Sequence, residues 1–367
     1  MFSPAQISRN LASLVLFFGF IACQSNPRAI QDSPVSKAPF EGMEAGWHTV
    51  TPGGETGCAT GTPFQFHIRP GKSDKVVFFL NGGGACWNAE LCALDIDPVT
   101  YRPYSTDEGN DPRMQQGIFD MEHAENPVAD WTIVYVPYCT GDVHLGGIDR
   151  TYSTKSGKEI LIQHRGKQNV ATALEWLFGK LHNPETVLVC GSSAGAIAAP
   201  YYAMLLADQY PKADVIALAD GAGGYRSDRV VHLIEAWGVE TGMPAGYKKQ
   251  KLADFEDLFS LSYNLYPHIQ FAQVNAAHDQ VQVDFLHLMG VSEPFFPLLK
   301  ANLADLEDEI VGFTSFTFPG KEHTVLRYDR FYTIEVGGIK LVDWFSELLS
   351  NKNPDPVTCA QEGTCNP

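Results

Sequence analysis

The residues Val187-Leu-Val-Cys-Gly-Ser-Ser-Ala-Gly195 read as a short buried strand that runs into the pattern Gly-x-Ser-x-Gly. The residues after it, Ala196-Ile-Ala-Ala-Pro-Tyr-Tyr202, favour a helix. A strand, a sharp turn with serine at its apex and a helix form the context of a nucleophile elbow. Glycines on either side of the serine let the strand and the helix approach closely. We therefore predict an α/β fold in which Ser193 is a nucleophile, against the alternative of a structural glycine-rich turn.

A second apolar strand, Lys75–Leu80, runs into the glycine-rich loop Asn81-Gly-Gly-Gly84. A loop in this position can present backbone N–H groups to an oxyanion, because residues without Cβ let the backbone reach the substrate. We expect donors from Gly83 and Gly84, and a third from Ala194 at the start of the helix after the turn. A dinucleotide-binding loop is disfavoured because the pattern Gly-x-Gly-x-x-Gly is absent and no helix clearly follows.

A serine of this kind needs a histidine base and an acid that orients it. His323 follows an alternating apolar strand that breaks at Pro319-Gly320, so we expect it on a loop. Asp279 follows the apolar run 269–275 and is the candidate acid, with Asp284 as the runner-up. Asp220 also ends a strand, but its turn is interpreted as a wall of the site rather than as part of a proton relay.

Six motifs in this chain resemble those of the pectin acetylesterase/Notum family of serine carboxylesterases, in the family's order. They are Phe79-Leu-Asn-Gly-Gly-Gly-Ala-Cys-Trp-Asn88, Val136-Pro-Tyr-Cys-Thr-Gly-Asp-Val-His-Leu-Gly146, Cys190-Gly-Ser-Ser-Ala-Gly195, Ala219-Asp-Gly-Ala-Gly223, Asn275-Ala-Ala-His-Asp279 and Phe318-Pro-Gly-Lys-Glu-His323. The resemblance covers about residues 45 to 350. It implies an α/β-hydrolase-like fold, with Ser193 as nucleophile, His323 as base, Asp279 as orienting acid, and Gly83, Gly84 and Ala194 as oxyanion donors.

The chain departs from plant members of this family around the catalytic motifs. Ser192 and Thr324 stand where plant relatives often carry cysteine, and Ala196 stands where a second glycine is usual. These departures leave the triad residues unchanged, but the substrate of the plant enzymes cannot be assigned to this chain.

Charge and composition bear on the substrate. With 26 Lys and Arg against 43 Asp and Glu, the net charge is −17. A chain of this charge disfavours nucleic acid as a partner, because it would repel a polyanion. The same argument weakens polygalacturonate, for which only scattered basic residues are candidates: Arg102, Arg113, Arg150, Arg165 and Arg226. We expect removal of O-acetyl groups from a neutral glycan or a small acetyl ester, without a cofactor or a metal.

Two other functional classes remain open. One is a lipase, a polyester depolymerase or a peptidase on the same fold, and the other is a non-catalytic glycan-binding surface lipoprotein. In each case we expect a monomer.

The first residues set the expected compartment. Arg9 precedes the apolar run 11–22, which is too short for a bilayer span of about 20 residues. We interpret residues 1–22 as a signal peptide of the lipoprotein type, because Phe20-Ile-Ala-Cys23 resembles a lipobox. Cys23 would then carry a lipid anchor, the only expected contact with a membrane. Cleavage beyond Cys23 and secretion is the alternative. Residues 23–44 are expected to form a flexible tether, and 45–367 a single catalytic domain of an exported, cell-envelope (outer membrane or periplasmic) or secreted protein.

Removing Cys23 leaves seven cysteines, an odd number for an exported chain. We expect Cys86 to pair with Cys92, Cys359 with Cys365, and Cys58 with Cys139. Cys190 would then remain as a buried free thiol.

The remaining patterns alternate between strands and helices, which favours a mostly parallel sheet with helices on both faces. Strands are predicted at 76–80, 131–136, 186–190, 213–218, 267–274 and 324–336. Helices are predicted at 168–181, 194–208, 228–238 and 339–349. Residues 88–128 are expected to roof the site, and 239–265 with 291–311 to form a cap, although Phe295 and Phe296 also fit core packing.

Overall fold

The computed structural model describes residues 40, 43–96, 98–248, 252–359 and 365, and its strands extend from one end of this range to the other. The strands are β1 (His48–Val50), β2 (Phe66–Arg69), β3 (Lys72–Leu80), β4 (Trp131–Val136), β5 (Ile148–Ser153), β6 (Glu159–His164), β7 (Thr186–Ser192), β8 (Asp214–Asp220), β9 (Gln270–Ala276), β10 (Thr314–Phe318), β11 (Glu335–Val336), β12 (Ile339–Lys340) and β13 (Val357–Thr358).

Helices occupy most of the connections between these strands. They are α1 (Ala89–Cys92), α2 (Gly166–Phe178), α3 (Ala194–Gln209), α4 (Val230–Trp237), α5 (Ala245–Lys248), α6 (Asp257–Leu265), α7 (Gln280–Leu288), α8 (Phe295–Glu309), α9 (Arg330–Thr333) and α10 (Leu341–Leu349). Three short 3₁₀ turns lie between residues 108 and 119.

The main sheet has nine strands in the order β1-β2-β4-β3-β7-β8-β9-β10-β13. From β4 to β13 all neighbours are parallel, while β1 and β2 add an antiparallel edge. The predicted mostly parallel α/β-hydrolase-like sheet is thus confirmed. In a parallel sheet the carboxyl ends of neighbouring strands meet at one edge, so the loops after β3, β7, β8, β9 and β10 converge there.

Both faces of the sheet are buried, which explains the nearly continuous apolar runs of its strands. In β3, Val76 and Phe78 belong to one core and Val77 and Phe79 to the other, because alternate side chains point to opposite faces. Helices α2, α3 and α4 pack in the first core, and α10 packs in the second. Helices on both faces of the sheet therefore agree with the prediction.

The strand predicted at 324–336 is wrong. The sixth strand of the parallel part of the sheet is instead β10, whose register places Phe316 beside Val274 of β9. Residues after His323 leave the sheet because the N–H groups of Val325 and Leu326 donate to the Asp220 carboxylate rather than to a neighbouring strand. The segment then forms the short helix α9. The hairpin β5–β6 and the edge strands β1, β2 and β13 were not predicted either.

The insertions pack closely on the rest of the chain. Helix α6 contacts α3 and α8, and Phe295 and Leu299 lie in the first core. Core packing is therefore the right interpretation for Phe295. Phe255, which precedes α6, lines a cavity at the candidate site, as do residues 99–102 of the first insertion.

Disulfides join Cys58 to Cys139, Cys86 to Cys92 and Cys359 to Cys365, and Cys190 is a buried free thiol. The predicted signal peptide, nearly all of the tether and the lipidation residue Cys23 lie outside the described residues. Within the described ranges, no helix has both the length and the apolar character needed to cross a bilayer.

Candidate active site

Ser193 occupies a sharp turn between β7 and α3, with φ 55° and ψ −123°. A positive φ is costly for a residue with a side chain, so the surrounding packing must hold it. The neighbouring glycines make that packing possible. A Cβ at Gly82 would lie 2.7 Å from the Cβ of Ser193, and a Cβ at Gly195 would lie 2.0 Å from the carbonyl oxygen of Leu80. The strand–turn–helix arrangement is thus the one the sequence predicted.

His323 and Asp279 are joined by a hydrogen bond of 2.7 Å between His323 Nδ1 and Asp279 Oδ2. The Asp279 side chain is fully buried and also accepts from the backbone N–H of Gln282 and from its Nε2. These bonds fix the carboxylate at the first turn of α7, where it serves as helix N-cap. His323 Nε2 is buried and has no hydrogen-bond partner among the described residues, so this nitrogen is available for a proton transfer.

The runner-up acid lies elsewhere. Asp284 is on the exposed side of α7, where it accepts a hydrogen bond from Gln280 Nε2 at 2.9 Å. Asp279, and not Asp284, therefore faces the histidine.

The candidate oxyanion donors lie on the loops after β3 and β7. Gly83 and Gly84 line the same cavity as Ser193 and His323. For the N–H groups of Gly83, Gly84 and Ala194, the described residues provide no acceptor. The glycine loop is held in place by the backbone bond from Arg102 N to Gly83 O, at 2.8 Å. Three donors beside a candidate nucleophile can stabilise a developing oxyanion.

A buried polar network supports this loop, and sequence reasoning assigned it no role. His144 Nε2 lies 2.8 Å from the carbonyl oxygen of Asn81, the residue before the three glycines. Burial lowers the pKa of His144 to about 4, so the ring is neutral at pH 7 and donates through Nε2. The Asn81 side chain donates to Asn110, which also bonds the backbone of Tyr138. The sequence signal for this network is the motif 136–146, which contains Tyr138 and His144.

Asp220 connects the nucleophile turn to the histidine loop. Its buried carboxylate accepts from Ser192 Oγ at 2.7 Å and from the N–H groups of Val325 and Leu326 at 2.9–3.0 Å. Burial raises the pKa of Asp220, while the hydrogen bond from Ser192 is the largest of the effects that oppose this rise. The interpretation of this turn as a wall omitted that the carboxylate binds the loop that carries the catalytic histidine candidate.

Two cavities meet at Ser193. One is lined mainly by apolar side chains, namely Trp87, Val143, Ile197, Tyr225, Leu233, Trp237, Phe255, Phe285 and Met289. The other contains His323 together with polar and charged groups, among them Tyr101, Arg102, Arg327 and Tyr328. Both cavities include Gly84, so a group bound at the glycine loop has apolar side chains on one side and polar side chains on the other.

Among the described residues, a single set of three potential metal ligands lies close together: Cys86, Cys92 and His164. The two sulfurs are bonded to each other, so they are not available as thiolate ligands.

The chain is similar to proteins of one known family. The profile of the pectinacetylesterase family matches residues 50–292. The palmitoleoyl-protein carboxylesterase notum2 of Xenopus laevis is 30% identical over 142 residues, which are 38% of this chain and 27% of that protein. The palmitoleoyl-protein carboxylesterase notum1' of the same species is 29% identical over 174 residues, 44% of this chain and 34% of that protein. The aligned part thus spans about a quarter to a third of the length of these relatives.

Proposed function

This chain belongs to the pectinacetylesterase family, and from that premise we propose that it hydrolyses carboxylic esters through an acyl-enzyme formed on Ser193. The observation that carries the proposal is the hydrogen bond between His323 and the buried Asp279, in the cavity that also contains the strained Ser193. A nucleophile, a base and a group that orients the base are the elements of this chemistry.

In the first step, His323 Nε2 takes the proton of Ser193 Oγ as this oxygen attacks the ester carbonyl carbon. The N–H groups of Gly83, Gly84 and Ala194 stabilise the tetrahedral oxyanion, and one such donor is worth about 3 kcal/mol in comparable enzymes. His323 then gives the proton to the leaving alcohol. Water, activated by the same nitrogen, cleaves the acyl-enzyme, while Asp279 holds the imidazole in the required tautomer.

The proposed substrate is an O-acetylated glycan or a small acetyl ester. The name of the family supports an acetyl group, and large aromatic side chains such as Trp87 and Trp237 narrow the apolar cavity. A longer acyl chain is the second candidate, because the cavity beside Ser193 is lined mainly by apolar side chains and the matched relatives are named for a palmitoleoyl group.

Acyl preference is tested with p-nitrophenyl esters of two to sixteen carbons in the acyl group. We expect kcat/KM to be highest for the acetyl ester. A maximum at eight carbons or more would assign the function to the second candidate.

The nucleophile is tested with Ser193→Ala and, as matched neighbour, Ser192→Ala. Ser193→Ala should abolish hydrolysis of p-nitrophenyl acetate and labelling by a fluorophosphonate probe, with the fold retained. Ser192→Ala should keep most of the activity. Unlabelled wild-type protein would favour a glycan-binding lipoprotein, and an inactive Ser192→Ala with an active Ser193→Ala would overturn the assignment of the nucleophile.

We also propose that the chain is an exported monomer, anchored by a lipid at Cys23 or secreted. Three disulfides support an oxidising compartment. Mass spectrometry of the protein isolated from membranes would detect a diacylglyceryl group on Cys23, and a mature chain starting beyond Cys23 would exclude the anchor.

A further inference from the structure

Two arginines line the polar cavity at the candidate site. Arg102 lies within the first insertion (88–128), and Arg327 lies four residues after His323. Both share the cavity with Ser193 and His323. Arg327 is buried, with 7% of its surface exposed, and Arg102 is half-buried. The chain therefore places two positive charges beside its candidate nucleophile.

Neither arginine forms an ion pair with a carboxylate in the described part of the chain. The partners of Arg327 are neutral: Nη1 donates to Gln115 Oε1 at 3.2 Å and Nη2 to the hydroxyl of Tyr328 at 3.4 Å. The guanidinium also lies 5.3 Å from the centre of the Tyr328 ring and close to the hydroxyl of Tyr135. Arg327 Nε and Arg102 Nη1 are buried without a hydrogen-bond partner. Asp107 is close enough to Arg102 to affect its pKa, but the two are not in contact as an ion pair.

Three other arginines of the protein are paired with carboxylates. Arg113 pairs with Asp111, Arg165 with Asp149, and Arg226 with Glu256. Buried charges in proteins are normally paired, because an unpaired charge loses its hydration without compensation. Two guanidinium groups without a carboxylate partner therefore lie in one cavity, where an anionic ligand would compensate their charge.

The surrounding backbone holds Arg102 in this position. A Cβ at Gly109 would lie 1.6 Å from Arg102 Nη1, and a Cβ at Gly83 would lie 3.1 Å from Arg102 Cδ. The guanidinium thus lies against Gly109, and the aliphatic part of the Arg102 side chain lies against Gly83, a candidate oxyanion donor. Burial lowers the pKa of Arg102, and repulsion from Arg327 lowers it further, as expected for two cations without a counter-ion between them.

We propose that Arg102 and Arg327 form an oxyanion-binding subsite that recognises a carboxylate or sulfate on the alcohol half of the ester. Guanidinium groups bind such planar or tetrahedral oxyanions through charge-assisted, often bidentate hydrogen bonds. The assignment rests on the proposed function, since the apolar cavity on the other side of Ser193 suits the acyl half. The net charge of −17 favoured a neutral substrate, but a local pair of cations attracts an anionic alcohol although the chain as a whole is acidic.

Matched acetyl esters test this subsite. The substrates are 4-acetoxybenzoate and 4-acetoxybenzenesulfonate, which carry an anion on the alcohol half, and methyl 4-acetoxybenzoate, which does not. Each kcat/KM is divided by the rate constant for hydroxide-catalysed hydrolysis of the same ester, which removes differences between the leaving phenols. Wild-type protein should prefer at least one anionic ester by about 10-fold or more, the effect of hydrogen bonds to a charged group. The ratio of the two anionic esters distinguishes a carboxylate from a sulfate site.

The variants Arg102→Gln and Arg327→Gln should lose this preference through a higher KM, and should change the rate for the methyl ester less than about 3-fold. Arg165→Gln, whose guanidinium is paired outside this cavity, should retain the preference. Equal losses for charged and neutral esters would assign a structural role to the arginines and overturn the proposal. A wild-type protein that hydrolyses the methyl ester at least as well as both anions would also overturn it, while leaving the proposed esterase function intact.

Binding without turnover separates the two proposals. In calorimetry, Ser193→Ala should bind 4-hydroxybenzoate or 4-hydroxybenzenesulfonate with a Kd at least about 10-fold lower than its Kd for methyl 4-hydroxybenzoate. If the wild-type protein hydrolyses none of the esters but this difference in Kd is present, only the proposed function is refuted. Absence of the difference would refute the subsite, whether or not the variants of the arginines fold.

Discussion

Replacing Asp220 by Asn should weaken the attachment of the histidine loop to the nucleophile turn. The Asp220 carboxylate accepts from three donors: Ser192 Oγ, the N–H of Leu326, and the N–H of Val325, which both carboxylate oxygens share. An amide in its place can keep an oxygen at the Oδ2 position but puts an N–H₂ group opposite the N–H of Val325. It also removes the negative charge from the remaining bonds.

Hydrogen bonds to a charged group contribute about 1.5–3 kcal/mol each and neutral ones about 0.5–1.5 kcal/mol. Loss of the charge and of one acceptor should therefore lower the free energy of unfolding by about 2–4 kcal/mol. Because Val325 and Leu326 directly follow the His323–Thr324 segment, the base should also be less well placed. A displacement of about 1 Å can reduce a rate about 100-fold, so we expect kcat for p-nitrophenyl acetate to fall by about 10- to 100-fold.

Urea unfolding and steady-state kinetics measure both effects. Asp214→Asn is the matched control, since this carboxylate lies exposed at the other end of β8. The control should change neither quantity. If Asp220→Asn has the free energy of unfolding and the kcat of the wild-type protein, the proposed role of this carboxylate is refuted. A loss of stability with an unchanged kcat would show that the loop holds His323 without help from this carboxylate.

Three further outcomes are expected. Asp279→Asn should lower kcat by about 10⁴-fold, as loss of the tautomer-fixing acid does in other triads, whereas Asp284→Asn should change it little; a loss confined to Asp284→Asn would contradict the proposed triad. Replacing both Cys86 and Cys92 by Ser should reduce kcat more than it reduces the melting temperature, because the bridge preorganises the glycine loop; full kcat with a lower melting temperature would refute that role. Acid should destabilise the protein, because three buried histidines have a pKa of about 4 in the folded state against 6.5 in the unfolded state, so the unfolded state takes up protons first. Asp142 and Asp254, whose pKa burial raises to about 6, offset part of this loss. The histidines are His67, His144 and His164. Urea unfolding should give a free energy about 3–5 kcal/mol lower at pH 5 than at pH 8, and equal values would show that these histidines are not buried neutral.

Local pattern was sufficient for the parts of the fold where neighbouring residues determine the structure. The strand predicted at 131–136 matches β4, and the helix predicted at 194–208 matches α3 within one residue, because each is an apolar run with clear ends. Ser193 could be placed on its turn for the same reason. The strand predicted at 324–336 failed because its apolar residues are held by a distant carboxylate, which no local pattern reveals.

The candidate site shows the same division. His323 and Asp279 could be predicted from their positions after strands, since the sheet brings such positions to one edge. The contact of Asp220 with Val325 spans 105 residues, and the sequence alone gave no reason to pair them. Arg102 was recognised only as one of several scattered basic residues. Its proximity to Arg327 depends on how the first insertion folds back over the glycine loop, which the composition of that insertion does not determine.

The position of Ser193 between two cavities has an evolutionary consequence. The walls of the apolar cavity come largely from α3, α4, α7 and the residues near Phe255, while those of the polar cavity come largely from residues 99–102 and 327–328. Substitutions in one set leave the other set unchanged. If the two cavities hold the two halves of the ester, the acyl and alcohol preferences of such a protein can diverge independently around an unchanged triad, so that descendants of one ancestor could exchange one half of the substrate while keeping the other.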